Sequence, residues 1–119
     1  MPRLPLLTQI RDRTHFSELL EKNPGKIVIK FGAEWCGPCK TVERQVFDWI
    51  ERMPESVQCI IVDIDECFDI YAFLKTKKMV NGIPAILCYH QENKTYIPDD
   101  VVIGADVNKI DAFFQRCLE

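Results

Sequence analysis

Ile27-Val28-Ile29-Lys30-Phe31-Gly32-Ala33-Glu34-Trp35-Cys36-Gly37-Pro38-Cys39-Lys40 decides how the rest of this chain is read. Its first five residues form a β-prone run, apolar on both faces apart from Lys30, as expected of a central strand. Two cysteines separated by two residues follow a short turn. Beyond them Val42, Val46, Phe47, Trp49, Ile50 and Met53 recur at helical spacing until Pro54 stops the run. A close cysteine pair between an apolar strand and a helix points to thiol chemistry, a context that a bare pair lacks.

The helix supplies the reason. Its first N–H groups have no partner within the helix, and with its dipole they favour Cys36 as a thiolate. Cys39 lies one helical turn on, so its sulfur can face that of Cys36 and close a small disulfide ring. Pro38 suits an early helical position, where its missing N–H costs nothing, and Gly37 leaves the approach to Cys36 open. A thiolate on Cys36 attacks a substrate disulfide, and Cys39 then displaces the substrate from the mixed disulfide. The competing reading is a zinc ligand pair. A closed zinc site needs four ligands, no second pair of this spacing exists, and the only histidines, His15 and His90, lie in unrelated segments, so no metal is expected.

Working outward, Leu6 to Ile10 reads as a short strand. Thr14 is the expected N-cap of a helix carrying Phe16, Leu19 and Leu20 and ended by Asn23-Pro24-Gly25. On the other side, Val57 to Ile64 reads as a strand and Cys67 to Lys75 as a helix. Asn81-Gly82-Ile83-Pro84 reads as a turn, Ala85 to Tyr89 as a strand, His90 to Asp100 as a hairpin connection and Val101 to Ile103 as a last strand. Gly104 breaks the pattern, and a helix with Val107, Ile110, Phe113, Phe114, Cys117 and Leu118 on its apolar stripe ends the chain. The order β-α-β-α-β-α-β-β-α predicts an α/β fold, one mixed sheet with helices on both faces.

The bulk composition agrees. A chain of 119 residues, 47% hydrophobic and 28% charged, suits one domain spanning residues 1–119 with a real core. A net charge of −3 shows no footprint for nucleic acid or anionic membrane, and no apolar run is long enough for a membrane span. Met1-Pro2-Arg3-Leu4-Pro5-Leu6-Leu7 lacks the unbroken apolar stretch and cleavage site of a signal peptide. Six cysteines fall short of a disulfide-stapled secreted scaffold, so a reducing, cytoplasmic setting is expected. Cys59, Cys88 and Cys117 read as buried and inert. For Cys67, at a helix start beside Asp65, Glu66 and Asp69, the helix terminus favours the thiolate and the carboxylates oppose it, which leaves its reactivity open.

With these residues in view the chain resembles the thioredoxins. Ala33 to Lys40 is close to their active-site signature, Gly82-Ile83-Pro84 matches their cis-proline turn, Ile103-Gly104-Ala105 their late glycine, and Asp63-Ile64-Asp65 the end of their third strand. The resemblance implies a central mixed five-stranded sheet flanked by four helices, and a protein-disulfide reductase cycling through a Cys36–Cys39 disulfide without a cofactor. It implies a docking patch of Trp35, Gly37, Pro38, Ile83, Pro84 and Gly104, with Asp65 accepting a hydrogen bond from the Trp35 indole. It also implies disulfide-containing protein substrates, a thioredoxin reductase or equivalent electron donor, and a monomer. The rivals are a thioredoxin-fold binding or assembly module, and a disulfide oxidase or isomerase.

The chain departs from the family pattern in three places. Lys30 stands where a buried aspartate is usual, with Ile61 in place of that acid's lysine partner. Lys30 therefore either faces Cys39 or, the slightly favoured reading, snorkels to solvent, and Glu34 or water is left to take the resolving thiol's proton. Arg44 replaces a helix-kinking proline, so a straighter helix is expected. Finally, Lys75-Thr76-Lys77-Lys78 and a segment within His90–Asp100 are longer than usual, either as solvated loops or as a rim near the active site.

Overall fold

Strand β1 (Lys26–Gly32) lies between β2 (Val57–Asp63), to which it runs parallel, and β3 (Ala85–His90), to which it runs antiparallel; β4 (Asp100–Ile103) closes the far edge antiparallel to β3. The central place expected for the Ile27–Phe31 run is therefore correct. A computed structural model describes residues 4–119; Met1 to Arg3, the start of the stretch read for a signal peptide, lie outside the described residues. Helices α1 (Arg13–Glu21) and α4 (Phe68–Thr76) cover one face of the sheet. Helices α2 (Gly37–Thr41), α3 (Glu43–Arg52) and α5 (Val107–Cys117) cover the other.

Alternation along the strands sorts the side chains between two cores. Ile27, Ile29 and Phe31 of β1 join Ile60, Val62, Leu87 and Tyr89 beneath α1 and α4. Val28, Cys59, Ile86 and Cys88 pack beneath α3 and α5 against Trp49, Phe113 and Phe114. Lys30 belongs to this second face by register, beside Ile61 on β2 and Ile86 on β3. No helix among the described residues is long and apolar enough to cross a membrane.

The sheet has four strands and the described residues form five helices, where five strands and four helices were expected. The expected strand at Leu6–Ile10 reduces to one parallel bridge, Leu7 to Ile60. Leu7 N–H donates to the Cys59 carbonyl at 3.2 Å, and its carbonyl accepts from Ile61 N–H at 2.9 Å. Pro5 has no N–H to extend the ladder, and Ile10 has already turned fully into the core. The extra helix comes from a break in the long helix at Val42 (φ −105°, ψ 4°), so the absence of a proline does not make it straighter. Thr41 Oγ1 donates back to the Gly37 carbonyl at 3.1 Å, a bond that bends helices, while the Val42 side chain is fully buried. Asp12, not Thr14, caps α1, accepting from His15 N–H at 2.8 Å.

Both longer stretches fold at the pole opposite the cysteines, so neither forms a rim beside them. His90 pairs with Lys26 at the start of β1, whereas Gly32 ends that strand at the cysteine pole. Lys77 lies 5.8 Å from the centres of the Phe73 and Tyr96 rings, which meet edge to face. Lys94 Nζ donates to the Leu20 carbonyl at 2.9 Å.

Candidate active site

Strand β1 delivers the chain to the cysteines and a tight turn reverses it, Cys36 N–H donating to the Ala33 carbonyl at 3.1 Å. Cys36 then caps α2 in extended conformation, and Pro38 occupies the helix's first turn. Cys36 and Cys39 are joined as a disulfide with their Cα atoms 5.3 Å apart, inside the usual range for such a bond. Cys39 N–H donates to Cys36 Sγ at 3.1 Å. Because α2 holds only five residues, this local amide, more than the summed dipole of a long helix, favours negative charge on Cys36.

The other expected site residues gather around this pair with one division. Ala33, Cys36 and Cys39 form a small buried cluster against the half-buried Ile64 and Ile83. The Ile83–Pro84 peptide is cis, and the Ile83 carbonyl oxygen lies 4.0 Å from Cys36 Sγ. Gly104 N–H donates to the Pro84 carbonyl at 2.8 Å, which ties the late glycine to the turn. Trp35 stands 68% exposed beside the exposed Gly37 and Pro38. A side-chain carbon on Gly37 would meet nothing within 4 Å, so the approach is open on that side. Asp65 accepts from Trp35 Nε1 at 2.8 Å and is itself held by its N–H donating to Asp63 Oδ1 at 2.8 Å.

Lys30 and Glu34 lie on the inner side. Only 7% of Lys30 is exposed, so it does not snorkel to solvent. A carbon added to Gly32 would sit 3.4 Å from Cys39 Sγ and 3.5 Å from Lys30 Nζ. The amine and the resolving sulfur thus share the space over a residue without a side chain. Burial pushes the Lys30 ammonium below the ordinary lysine range, and the Glu43 carboxylate partly opposes that shift. A cavity of about 330 Å³ opens behind Cys39, and Lys30, Glu34, Glu43 and Asp63 are among its lining residues. Glu34 points to this cavity from an exposed position on the turn.

Sequence reasoning missed Gly32, Glu43 and Asp63. Glu43 carried a usable signal, because it follows Cys39 by one helical turn. Asp63 had none, since its part is to hold Asp65 across a turn.

A cysteine pair closed into a disulfide at the start of a helix, against a cis-proline turn, on a mixed sheet covered on both faces, defines a thiol–disulfide oxidoreductase. The Thioredoxin family model matches residues 7–116, and the chain belongs to that family. It is 30% identical to thioredoxin from Equus caballus over 108 residues, which are 90% of this chain and 94% of the relative. It is 33% identical to Thioredoxin 3 of Plasmodium falciparum over 94 residues, 78% of this chain but 49% of the relative, so it spans about half of that longer protein. Among solved structures, mitochondrial thioredoxin 3 from Saccharomyces cerevisiae in its oxidised form superposes with a TM-score of 0.71 at 28% identity, covering 92% of this chain and 94% of the other.

Proposed function

We propose that this chain works as a reductase of protein disulfides, with Cys36 as the attacking sulfur and Cys39 as the resolving one. The observation that carries the assignment is the 3.1 Å hydrogen bond from Cys39 N–H to Cys36 Sγ. An amide aimed at one sulfur lowers the energy of its thiolate, which is the nucleophile in exchange. Cys36 thiolate attacks one sulfur of the substrate disulfide, and the other sulfur leaves as a thiolate. Cys39 then attacks Cys36, the Cys36–Cys39 disulfide closes, and the substrate departs as a dithiol carrying two electrons from the protein.

Trp35, Gly37, Pro38, Ile83 and Gly104 form the apolar patch on which the substrate rests, and the Pro84 turn presents the Ile83 backbone beside Cys36. Asp65 fixes the Trp35 ring. A thioredoxin reductase or equivalent donor regenerates the dithiol. Cys67, Cys88 and Cys117, kept as buried free thiols, suit a reducing compartment such as the cytoplasm, where the chain acts as a monomer.

The test is a Cys39→Ser protein offered to a disulfide-containing protein mixture. Substrates are expected to accumulate as mixed disulfides on Cys36, while the wild type turns over a model protein disulfide with a chemical reductant. An empty trap together with no turnover by the wild type overturns the reading.

A further inference from the structure

We propose that Lys30 is the proton acceptor of the resolving step: its amine nitrogen, enclosed with Cys39 Sγ over Gly32, takes the Cys39 proton as that sulfur attacks the mixed disulfide on Cys36. The inference rests on the dithiol-exchange reading above and adds the group that makes Cys39 competent.

Placement argues for it first. Lys30 is one of two buried polar or charged residues among the described ones. The other, Asn23, is accounted for by its bonds to the Tyr89 carbonyl and from Gly25 N–H. On either side of Lys30 in the sheet stand Ile61 and Ile86, so its stem is ordinary packing and its amine is the unexplained part. That amine reaches within 3.5 Å of the point over Gly32 that lies 3.4 Å from Cys39 Sγ. Direct contact or one intervening water bridges such a gap.

Electrostatics then fixes the direction of transfer. The charged groups that line the cavity with Lys30 are Glu34 on the turn, Lys40 on α2, Glu43 on α3 and Asp63 at the end of β2, and of these Glu43 acts on the amine. Burial outweighs the pull of Glu43, so the neutral amine, a base, is more available than in an ordinary lysine. After transfer the products are an ammonium and a thiolate side by side, which attract one another strongly in a partly desolvated cavity. The Cys39 S–H bond breaks and its proton goes to Nζ. The Cys39–Cys36 bond forms while the Cys36–substrate bond breaks, and the electron pair leaves on the substrate sulfur. The substrate disulfide is the oxidant throughout.

The experiment follows the two thionitrobenzoate ions released when reduced protein meets 5,5′-dithiobis(2-nitrobenzoate). The first reports attack by Cys36 and the second resolution by Cys39. In Lys30→Met and Lys30→Gln, the second release is expected to slow at least about tenfold near pH 7. Its pH midpoint is expected to rise toward that of an ordinary thiol, about 8.5, with the first release changed less than about twofold. Thermal melts confirm that both variants fold. A second release with wild-type rate and pH profile in both variants overturns the role of Lys30. A wild type that never makes the second release overturns dithiol exchange itself, and this proposal with it.

Discussion

The Trp35 indole Nε1–H donates to Asp65 Oδ2 at 2.8 Å, although 68% of the tryptophan is exposed. A large apolar ring left in solvent is normally free to rotate, and here one hydrogen bond fixes it beside Cys36. Asp65→Ala is expected to lower kcat/KM for a protein disulfide about 3- to 10-fold, the worth of one hydrogen bond of about 1 kcal/mol. Stability should stay within about 0.5 kcal/mol, because the pair is exposed. Steady-state reduction of protein and small-molecule disulfides checks this, with the small substrate affected less.

Lys30 sets stability against chemistry. Its ammonium is disfavoured in the folded state by burial, so its folded pKa lies below the ordinary 10.5. Below that folded value both states hold the proton, and the folded state bears the full desolvation penalty. Between the folded value and 10.5 only the unfolded chain holds it, so stability rises with pH across that window. Lys30→Met removes the penalty. It is expected to stabilise the protein by about 1–3 kcal/mol at pH 7, with the gain shrinking toward pH 10.5. Urea titrations at the two ends of this range measure it, and an equal gain at both would contradict a buried titrating amine.

Two residues with positive φ should respond in opposite directions. Lys78 ends α4 at φ 64°, with Met79 N–H reaching back to the Leu74 carbonyl at 2.9 Å. A helix end of this kind favours glycine, so Lys78→Gly is expected to stabilise by about 0.5–1 kcal/mol. Gly104, at φ 101°, has open space where a side-chain carbon would go. Gly104→Ala should therefore cost about 1–2 kcal/mol through backbone strain alone. Denaturation midpoints of the two variants settle both signs.

In the reduced native protein, iodoacetamide is expected to label Cys36 first. Cys59, Cys67, Cys88 and Cys117 are buried, and the Cys117 thiol is pushed well above the ordinary range by its hydrogen bond with Cys88 and by burial. These four should react only after denaturation. Peptide mapping at successive times distinguishes this from a reactive surface thiol at Cys67.

Local patterns carried much of this fold. The β1 run is buried as its pattern requires, and of the stripe expected on the last helix Ile110, Phe113, Phe114 and Cys117 are buried while Val107 and Leu118, at its two ends, stand exposed. The cysteine pair was legible because strand, turn and helix flank it within a dozen residues. What escaped depended on distant partners. Leu7 is a strand residue only through Cys59 and Ile61. The break at Val42 reflects Thr41 bonding back to Gly37 and a valine drawn into the core, where proline was the only disruption considered. Lys30 could be placed on a face by alternation, but whether its amine reached solvent depended on Gly32, two residues further along β1.

The contact between Leu7 and the outer edge of β2 reaches beyond topology. It satisfies Cys59 O and Ile61 N–H, and Gln58 Nε2 ties down the Pro5 carbonyl at 2.8 Å just upstream. Together these act as a strap over backbone groups that would otherwise offer a template to another chain. Trimming the protein back to Ile10 would bare that edge, and the shortened chains would be prone to stick together strand against strand even with both cysteines still in place.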